Sequence, residues 1–138
     1  MAQVLNKPRT ILCIDDDADD LQLLTEAVQQ VDPQCLIIKA FDGLHGISIL
    51  QEMHAAQQLP CLIVMDINMP KLDGKQTFVR LQADPTFSKL PVVVFSTSSS
   101  AMDKLFFQSK GAAFITKPIR FEQLLAAASE LLSYCPPQ

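Results

Sequence analysis

The chain of 138 residues has the length of one domain, and hydrophobic residues make up 49% of it. Its formal net charge of -4 excludes a strongly basic surface, so we expect no direct contact with nucleic acid. No apolar run reaches the roughly 18 residues that a membrane span needs. The polar segment 1–10 has no apolar stretch of the signal-peptide type, so no membrane insertion is expected. The charge is unevenly spread, because five of the 15 acidic residues lie between Asp15 and Asp20.

Short apolar runs recur along the chain and are rich in β-branched residues. None of them alternates between apolar and polar residues, which is typical of strands that are covered on both faces in a parallel sheet. The predicted strands are 10–14, 35–38, 61–65, 91–95 and 112–115.

Between the predicted strands, apolar residues recur every three or four positions, which predicts helices that pack one face against the sheet. Asp17, Asp19 and Asp20 fall at the start of the first helix, where acidic side chains cap the helix and suit its dipole. Ser100 and Asp103 resemble a capping box at the start of the fourth helix. The five apolar stripes are Leu21, Leu24, Val28 and Val31; Leu44, Ile47, Leu50 and Met53; Phe78 and Leu81; Met102, Leu105 and Phe106; and Phe121, Leu124, Leu125, Ala128 and Leu132.

Five strand–helix pairs in succession predict an α/β fold. Right-handed crossovers leave few topologies, and we expect a flavodoxin-like (βα)5 sandwich with helices on both faces. Its five-stranded parallel sheet should have the order 2-1-3-4-5. We expect residues 1–138 to be a single domain with a core at about 9–134 and no output domain.

Four cysteines are widely spaced, with no C-x-x-C pair and no histidine at a zinc-ligand spacing. Three of them lie in apolar runs. We therefore expect Cys13, Cys35, Cys61 and Cys135 to be reduced thiols that pack as small hydrophobic side chains. A reducing compartment, and hence a cytoplasmic location, follows from that expectation.

Chemically active side chains follow four of the five predicted strands. Asp15 and Asp16 follow the first strand, Asp66 the third, Ser96 the fourth and Lys117 the fifth. Because the carboxyl ends of strands 1 and 3 lie side by side in this topology, the three carboxylates should converge. Mg²⁺ would offset their repulsion, and Lys117 and Ser96 would add an ammonium and a hydroxyl. The cation, the ammonium and the hydroxyl would together bind a phosphoryl group, with Asp66 as the nucleophile that becomes an aspartyl-phosphate.

Four sequence blocks, 11–17, 64–74, 91–96 and 114–118, resemble the receiver domain of two-component response regulators, in its stand-alone CheY-like form. The block that begins at Asp66 reads D-x-x-M-P-x-x-D-G and is the most specific of the four. The resemblance implies that Asp66 is the phosphoacceptor. It also implies that Asp15, Asp16, Asp66 and the backbone carbonyl of Asn68 hold Mg²⁺ or Mn²⁺.

The resemblance implies roles for the later blocks as well. Ser96 is expected to be the switch hydroxyl that bonds the phosphoryl oxygen, and Lys117 to pair with Asp66 or its phosphate. Pro118 is expected to follow a cis peptide bond. Phe114 occupies the switch-aromatic position, where a tyrosine is commoner, so its movement cannot involve a phenolic hydrogen bond.

Three further positions are expected to modulate the reaction. Thr97 is bulkier than the residue that the family usually carries, so it should narrow the approach of the phosphodonor. Asn68 and Ser98 lie where side chains influence dephosphorylation, and both are small enough to admit a water molecule.

The expected function is a phosphorylation switch in bacterial two-component signalling. A histidine kinase or a histidine phosphotransfer protein would donate the phosphoryl group, and the helix 4–strand 5–helix 5 face would change shape to bind a protein target. Passing the phosphoryl group onward in a relay is the alternative output. The only chemistry expected is the chain's own phosphorylation and dephosphorylation, in a monomer or weak dimer. One of Phe106 and Phe107 is expected to be core and the other available at the surface.

Two rival functions remain at this level. Asp15 and Asp17 form a D-x-D pattern, as in small Mg²⁺-dependent phosphatases of the haloacid dehalogenase type, in which Asp15 would be the nucleophile. The other rival is a binding module: an FMN binder, which the acidic loop after strand 1 disfavours, or a phosphorylation-independent adaptor.

Overall fold

The computed structural model describes residues 8–135, in which five strands alternate with five helices. The elements are β1 (Thr10–Ile14), α1 (Ala18–Val31), β2 (Leu36–Ala40), α2 (Gly43–Ala55), β3 (Leu62–Met65), α3 (Gly74–Gln82), β4 (Val92–Ser96), α4 (Ala101–Ser109), β5 (Ala113–Thr116) and α5 (Phe121–Ser133).

All five strands are parallel and lie in the order β2-β1-β3-β4-β5, which confirms the predicted CheY-like flavodoxin fold. The register places Ile14 opposite both Ala40 and Met65. The backbone ladder continues for one residue beyond β1 and β3, because Asp15 N–H donates to the Ala40 carbonyl at 2.9 Å and Asp66 N–H donates to the Ile14 carbonyl at 3.0 Å. Asp15 and Asp66 therefore leave adjacent strands at the same edge of the sheet.

The sheet separates two hydrophobic cores, and alternate residues of each central strand enter opposite cores. Ile11 and Cys13 pack with the apolar faces of α1 and α5, whereas Leu12 and Ile14 pack on the side of α2, α3 and α4. This two-sided burial is the physical reason for the uninterrupted apolar runs. β2 departs from this two-sided burial because it is an edge strand, and Leu36 at its start is 54% exposed.

The predicted apolar stripe of α4 is wrong at two of its three positions. Met102 is 79% exposed and Leu105 is 68% exposed, while Phe107 is fully buried. Phe107 sets the orientation of this short helix because its ring packs edge-on against Phe78, with centroids 5.5 Å apart. Phe106 is half-buried. The expectation that one of the two adjacent phenylalanines is core is thus confirmed, with Phe107 as the core residue.

The prediction of four reduced thiols is wrong for Cys61 and Cys135. These two residues form a disulfide, with Cα atoms 5.1 Å apart and a sequence separation of 74. Cys61 precedes β3 and Cys135 follows α5, so only the tertiary fold brings them together. Cys13 and Cys35 are buried and free, as expected. Burial raises the pKa of Cys13 to about 12 and that of Cys35 to about 11.

Within residues 8–135, no helix combines the length and the apolar character that crossing a bilayer requires.

Opening the Cys61–Cys135 disulfide should lower the free energy of unfolding, because the bond closes a long loop in the unfolded chain. For a loop of this length the chain-entropy model gives a loss of about 4 kcal/mol. Urea unfolding with and without a phosphine reductant measures it. In Cys135→Ser the reductant should change nothing. Equal midpoints for the oxidised and reduced parent protein would contradict the prediction.

Candidate functional site

Three carboxylates converge at the carboxyl edge of the sheet, as predicted. One oxygen from each of Asp15, Asp16 and Asp66 lies within 4.8 Å of the others. Asp15 is buried, Asp66 is half-buried and Asp16 is exposed. The cluster is therefore anchored in the protein on one side and open to solvent on the other.

Lys117 brings the compensating positive charge into this cluster. Its Nζ donates to Asp15 Oδ2 at 2.6 Å and to Asp66 Oδ2 at 3.0 Å. Its main chain is fixed as well, because Lys117 N–H donates to the Ser96 carbonyl at 2.9 Å. The side chain is only 9% exposed, so the ammonium depends on the carboxylates for its stabilisation.

Asp20 belongs to the same network, and the sequence prediction missed this role of Asp20. Its Oδ2 accepts from Lys117 Nζ at 2.9 Å, although the prediction treated Asp20 as a helix-start residue only. The signal was its spacing to Leu24, because residues four apart lie on one helix face and Leu24 faces the core. Asp17 does cap α1, accepting from the backbone N–H groups of Asp19 and Asp20.

Burial and hydrogen bonding act in opposite directions on the two central charges. Burial raises the pKa of Asp15, although the hydrogen bonds from Lys117 and from Asp17 N–H favour its charged form. Burial by itself lowers the pKa of Lys117. Hydrogen bonds to Asp15 and Asp20 outweigh that effect, so the pKa of Lys117 lies above the usual lysine value. The ammonium is therefore held in its charged form.

The loop from Asp66 to Asp73, which we call the β3–α3 loop, explains the D-x-x-M-P-x-x-D-G string physically. Met69 and Leu72 are buried and anchor the loop. Asp73 and Gln76 form a reciprocal capping box at the start of α3. Gly74 lies against the β3–α3 loop, where a Cβ would stand only 2.5 Å from the Asp66 carbonyl oxygen. The motif thus positions Asp66, and Asn68 lies exposed within it.

The loop from Thr97 to Ser100, which we call the β4–α4 loop, follows Ser96. Ser96 is 1% exposed, and its Oγ accepts from Ser98 N–H at 3.2 Å. Thr97 is exposed and Ser98 is half-buried. The expected capping box is only half formed: Ser100 Oγ accepts from Asp103 N–H, but the Asp103 carboxylate accepts from Ser98 Oγ at 3.0 Å instead of returning to Ser100.

Two other predicted residues lie on β5 and just beyond it. Phe114 is half-buried, with its ring 6.5 Å from that of Phe107 and Lys104 Nζ 5.6 Å from its centroid. Residues 8–135 contain no cis peptide bond, so the expected cis bond before Pro118 is wrong. Lys117 reaches the acidic cluster with this bond trans, held by its backbone hydrogen bond to Ser96.

The donor set fits a hard divalent cation. Four carboxylates, those of Asp15, Asp16, Asp20 and Asp66, face a single ammonium, so the cluster carries a net negative charge. Its ligands are carboxylate oxygens with one exposed side, which suits a cation that keeps several water molecules.

Comparison with known proteins agrees with this geometry. Residues 11–129 match the model of the response regulator receiver domain. The chain is 27% identical to response regulator Rcp1 of Synechocystis sp., over 97% of this chain and 93% of the relative. It is 32% identical to protein PilH of Pseudomonas aeruginosa, over 89% of this chain and 97% of the relative.

Two solved structures share the fold. The phosphorylated cyanobacterial phytochrome response regulator RcpA matches with a TM-score of 0.83 and 27% identity, over 94% of this chain and 98% of that chain. The Mn²⁺-bound form of Rcp1 matches with a TM-score of 0.80 and 26% identity, over 91% and 93%. The chain therefore belongs to the response regulator receiver domain family of two-component signalling, whose members are generally not true enzymes.

Replacing Asp16 by Asn should weaken Mg²⁺ binding at least about tenfold, because the cation loses a charged oxygen ligand. Asp19→Asn is the matched control, since Asp19 lies exposed in the first turn of α1 outside the cluster. Isothermal titration calorimetry measures both affinities. Equal weakening in the two variants would indicate a diffuse charge effect and not a metal site.

Proposed function

We propose that this chain is a phosphorylation switch in which Asp66 accepts a phosphoryl group from a phosphohistidine. The donor is a sensor histidine kinase or a histidine phosphotransfer protein. The observation that carries the proposal is the Lys117 ammonium, which bridges Asp15 and Asp66 inside a cluster of carboxylates. A positively charged group held beside a carboxylate nucleophile stabilises the negative charge on a phosphoryl group during its transfer.

Each residue of the site has a defined part in this reaction. A bond forms between a carboxylate oxygen of Asp66 and phosphorus while the donor's phosphorus–nitrogen bond breaks. Lys117 compensates charge on the phosphoryl oxygens, and the buried Ser96 supplies a hydroxyl from the neighbouring strand. When a water molecule attacks phosphorus, the bond between phosphorus and the Asp66 oxygen breaks, inorganic phosphate leaves and Asp66 returns to a free carboxylate.

Asp15, Asp16, Asp66 and the Asn68 carbonyl would hold Mg²⁺ or Mn²⁺, and that ion would supply further charge neutralisation. One similar protein, Rcp1, is described in a Mn²⁺-bound form. Thr97, Asn68 and Ser98 would set access to the phosphoryl group. The exposed positions of Thr97 and Asn68 support that part of the proposal.

The proposed output is a changed surface on α4, β5 and α5. Movement of Ser96 and the β4–α4 loop would free space for Phe114, which already packs against the core residue Phe107. Exposed apolar side chains on this face support a protein partner, because Met102, Leu105 and Ile119 are all largely open to solvent. Onward transfer of the phosphoryl group in a relay is the second form of output.

The proposal also covers the domain organisation, the oligomeric state and the cellular location. Residues 1–138 would act as a single receiver domain with its core at about 9–134, as a monomer or weak dimer. A cytoplasmic location is supported by the family, whereas the argument from four reduced thiols does not hold for Cys61 and Cys135. This location predicts that a reducing environment opens Cys61–Cys135 in the cell.

The phosphatase alternative has little structural support. Asp17, its second acidic residue, lies exposed and uses its carboxylate to cap α1. It therefore takes no part in the converging cluster, which contains Asp66 instead.

Acetyl phosphate with Mg²⁺ should add one phosphoryl group to the protein, and Asp66→Asn should abolish the addition. Asp73→Asn is a matched control, because Asp73 caps α3 at the other end of the β3–α3 loop. Intact-protein mass spectrometry detects the product. Phosphorylation that persists in Asp66→Asn would refute the assignment, and sustained multiple-turnover hydrolysis of a phosphomonoester would favour the phosphatase.

Beryllofluoride with Mg²⁺ should shift the backbone NMR signals of Ser96, Thr97 and Phe114, since the anion is expected to draw the switch residues toward Asp66. Residues at the opposite edge of the sheet, such as Leu36, should keep their signals. Unchanged signals at Ser96 and Phe114 would refute the proposed switch.

A further inference from the structure

One ion pair connects α3 and α4, the helices that follow the β3–α3 and β4–α4 loops. Lys75 Nζ lies 2.7 Å from Asp103 Oδ1, and the lysine also stands over the ring of Phe106, 5.4 Å from its centroid. Lys75 is on the first turn of α3, whereas Asp103 and Phe106 are on α4. Both contacts of this side chain therefore hold α4 against α3.

On the α4 side, Asp103 continues into the switch loop. Its Oδ2 accepts from Ser98 Oγ at 3.0 Å, and Ser98 Oγ in turn accepts from Ser100 N–H at 3.2 Å. Ser98 N–H donates to Ser96 Oγ at 3.2 Å. The Asp103 carboxylate is thus joined, through one serine, to the proposed switch hydroxyl.

On the α3 side, Lys75 is joined to the phosphoacceptor. It follows Gly74, whose N–H donates to the Ile67 carbonyl at 2.8 Å and which lies directly against the Asp66 backbone. A Cβ at Gly74 would overlap with the Asp66 carbonyl, so the backbone at the start of α3 lies in close contact with the β3–α3 loop. The contacts form a chain that runs from Asp66 through Lys75 and Asp103 to Ser96.

We propose that Lys75, Asp103 and Ser98 form a latch that holds the β4–α4 loop in its unphosphorylated position and so opposes the movement of Ser96 toward the phosphoryl group. The inference rests on the proposed function of Asp66. Asp103 and Lys75 are positioning residues, since neither touches the reacting atoms. Movement of Ser96 Oγ toward Asp66 would break its hydrogen bond from Ser98 N–H unless Ser98 followed, and movement of Ser98 would stretch its hydrogen bond to Asp103.

A latch of this kind lowers the affinity for any group that binds the switched conformation, because part of the binding energy goes into releasing it. Asp103 is 19% exposed and Lys75 is 40% exposed, so solvent screens the pair and its effect is modest. Breaking it should tighten beryllofluoride binding about two- to fivefold.

The test compares beryllofluoride affinities, by NMR titration with Mg²⁺ present, of the parent protein, Asp103→Asn, Lys75→Gln and the double variant. Both single variants should bind about two- to fivefold more tightly, and the double variant should match either single one. Lys75→Arg should restore the parent affinity. Mg²⁺ affinity without beryllofluoride should be equal in all of them, which a general structural loss would not produce.

The two single variants change the net charge in opposite directions. Simple attraction of the anion would strengthen its binding in Asp103→Asn and weaken it in Lys75→Gln, so tighter binding in both singles out the latch. Glu52→Gln and Lys89→Gln are matched controls at exposed positions on other parts of the surface. They should bind like the parent protein.

The outcomes separate the two proposals. If the parent protein binds beryllofluoride and Asp66→Asn does not, but Asp103→Asn and Lys75→Gln keep the parent affinity or shift in opposite directions, the latch is wrong and the phosphorylation site stands. If the parent protein itself fails to bind beryllofluoride, the proposed function is overturned and the latch with it.

Discussion

The arrangement of this site depends on one buried ammonium. Lys117 carries a full positive charge at a position that is 9% exposed, where an unpaired charge is strongly unfavourable. Three carboxylates accept hydrogen bonds from its Nζ: Asp15 and Asp66, which directly follow β1 and β3, and Asp20 on α1. The lysine and the acids therefore require one another, and the strand ends that carry them must keep their register for the cluster to exist.

Much of this arrangement could be read from residue order, for a simple physical reason. Parallel strands place their carboxyl ends at one edge of the sheet. Once the strand order is known, side chains far apart in sequence, such as Asp15, Asp66 and Lys117, can therefore be predicted to meet. The strand order followed from short apolar runs that are buried on both sides. The site was thus predictable because its residues occupy the most regular part of the fold.

What could not be predicted lies where tertiary packing overrides local pattern. In α4, a helix of nine residues, the buried side chain is Phe107, which packs against Phe78, and not the predicted Met102 and Leu105. The spacing of Asp20 to Leu24 indicated the face of α1 on which Asp20 lies, but not that this face meets a lysine 97 residues away. The disulfide was missed for the same reason, since 74 residues separate its two cysteines. Periodicity within one element does not report which neighbour that element meets.

The disulfide also divides the chain mechanically. Cys61 and Cys135 enclose β3, α3, β4, α4, β5 and α5 in one covalent loop, while β1, α1, β2 and α2 lie outside it. If tension were applied at the two ends of the oxidised chain, only the segments outside the loop could be drawn out to full length. Asp66, Ser96 and Lys117 all lie inside the loop, and Asp15 and Asp16 lie outside. Extension would thus pull Asp15 and Asp16 away from Asp66, Ser96 and Lys117, which would stay together inside the covalent loop.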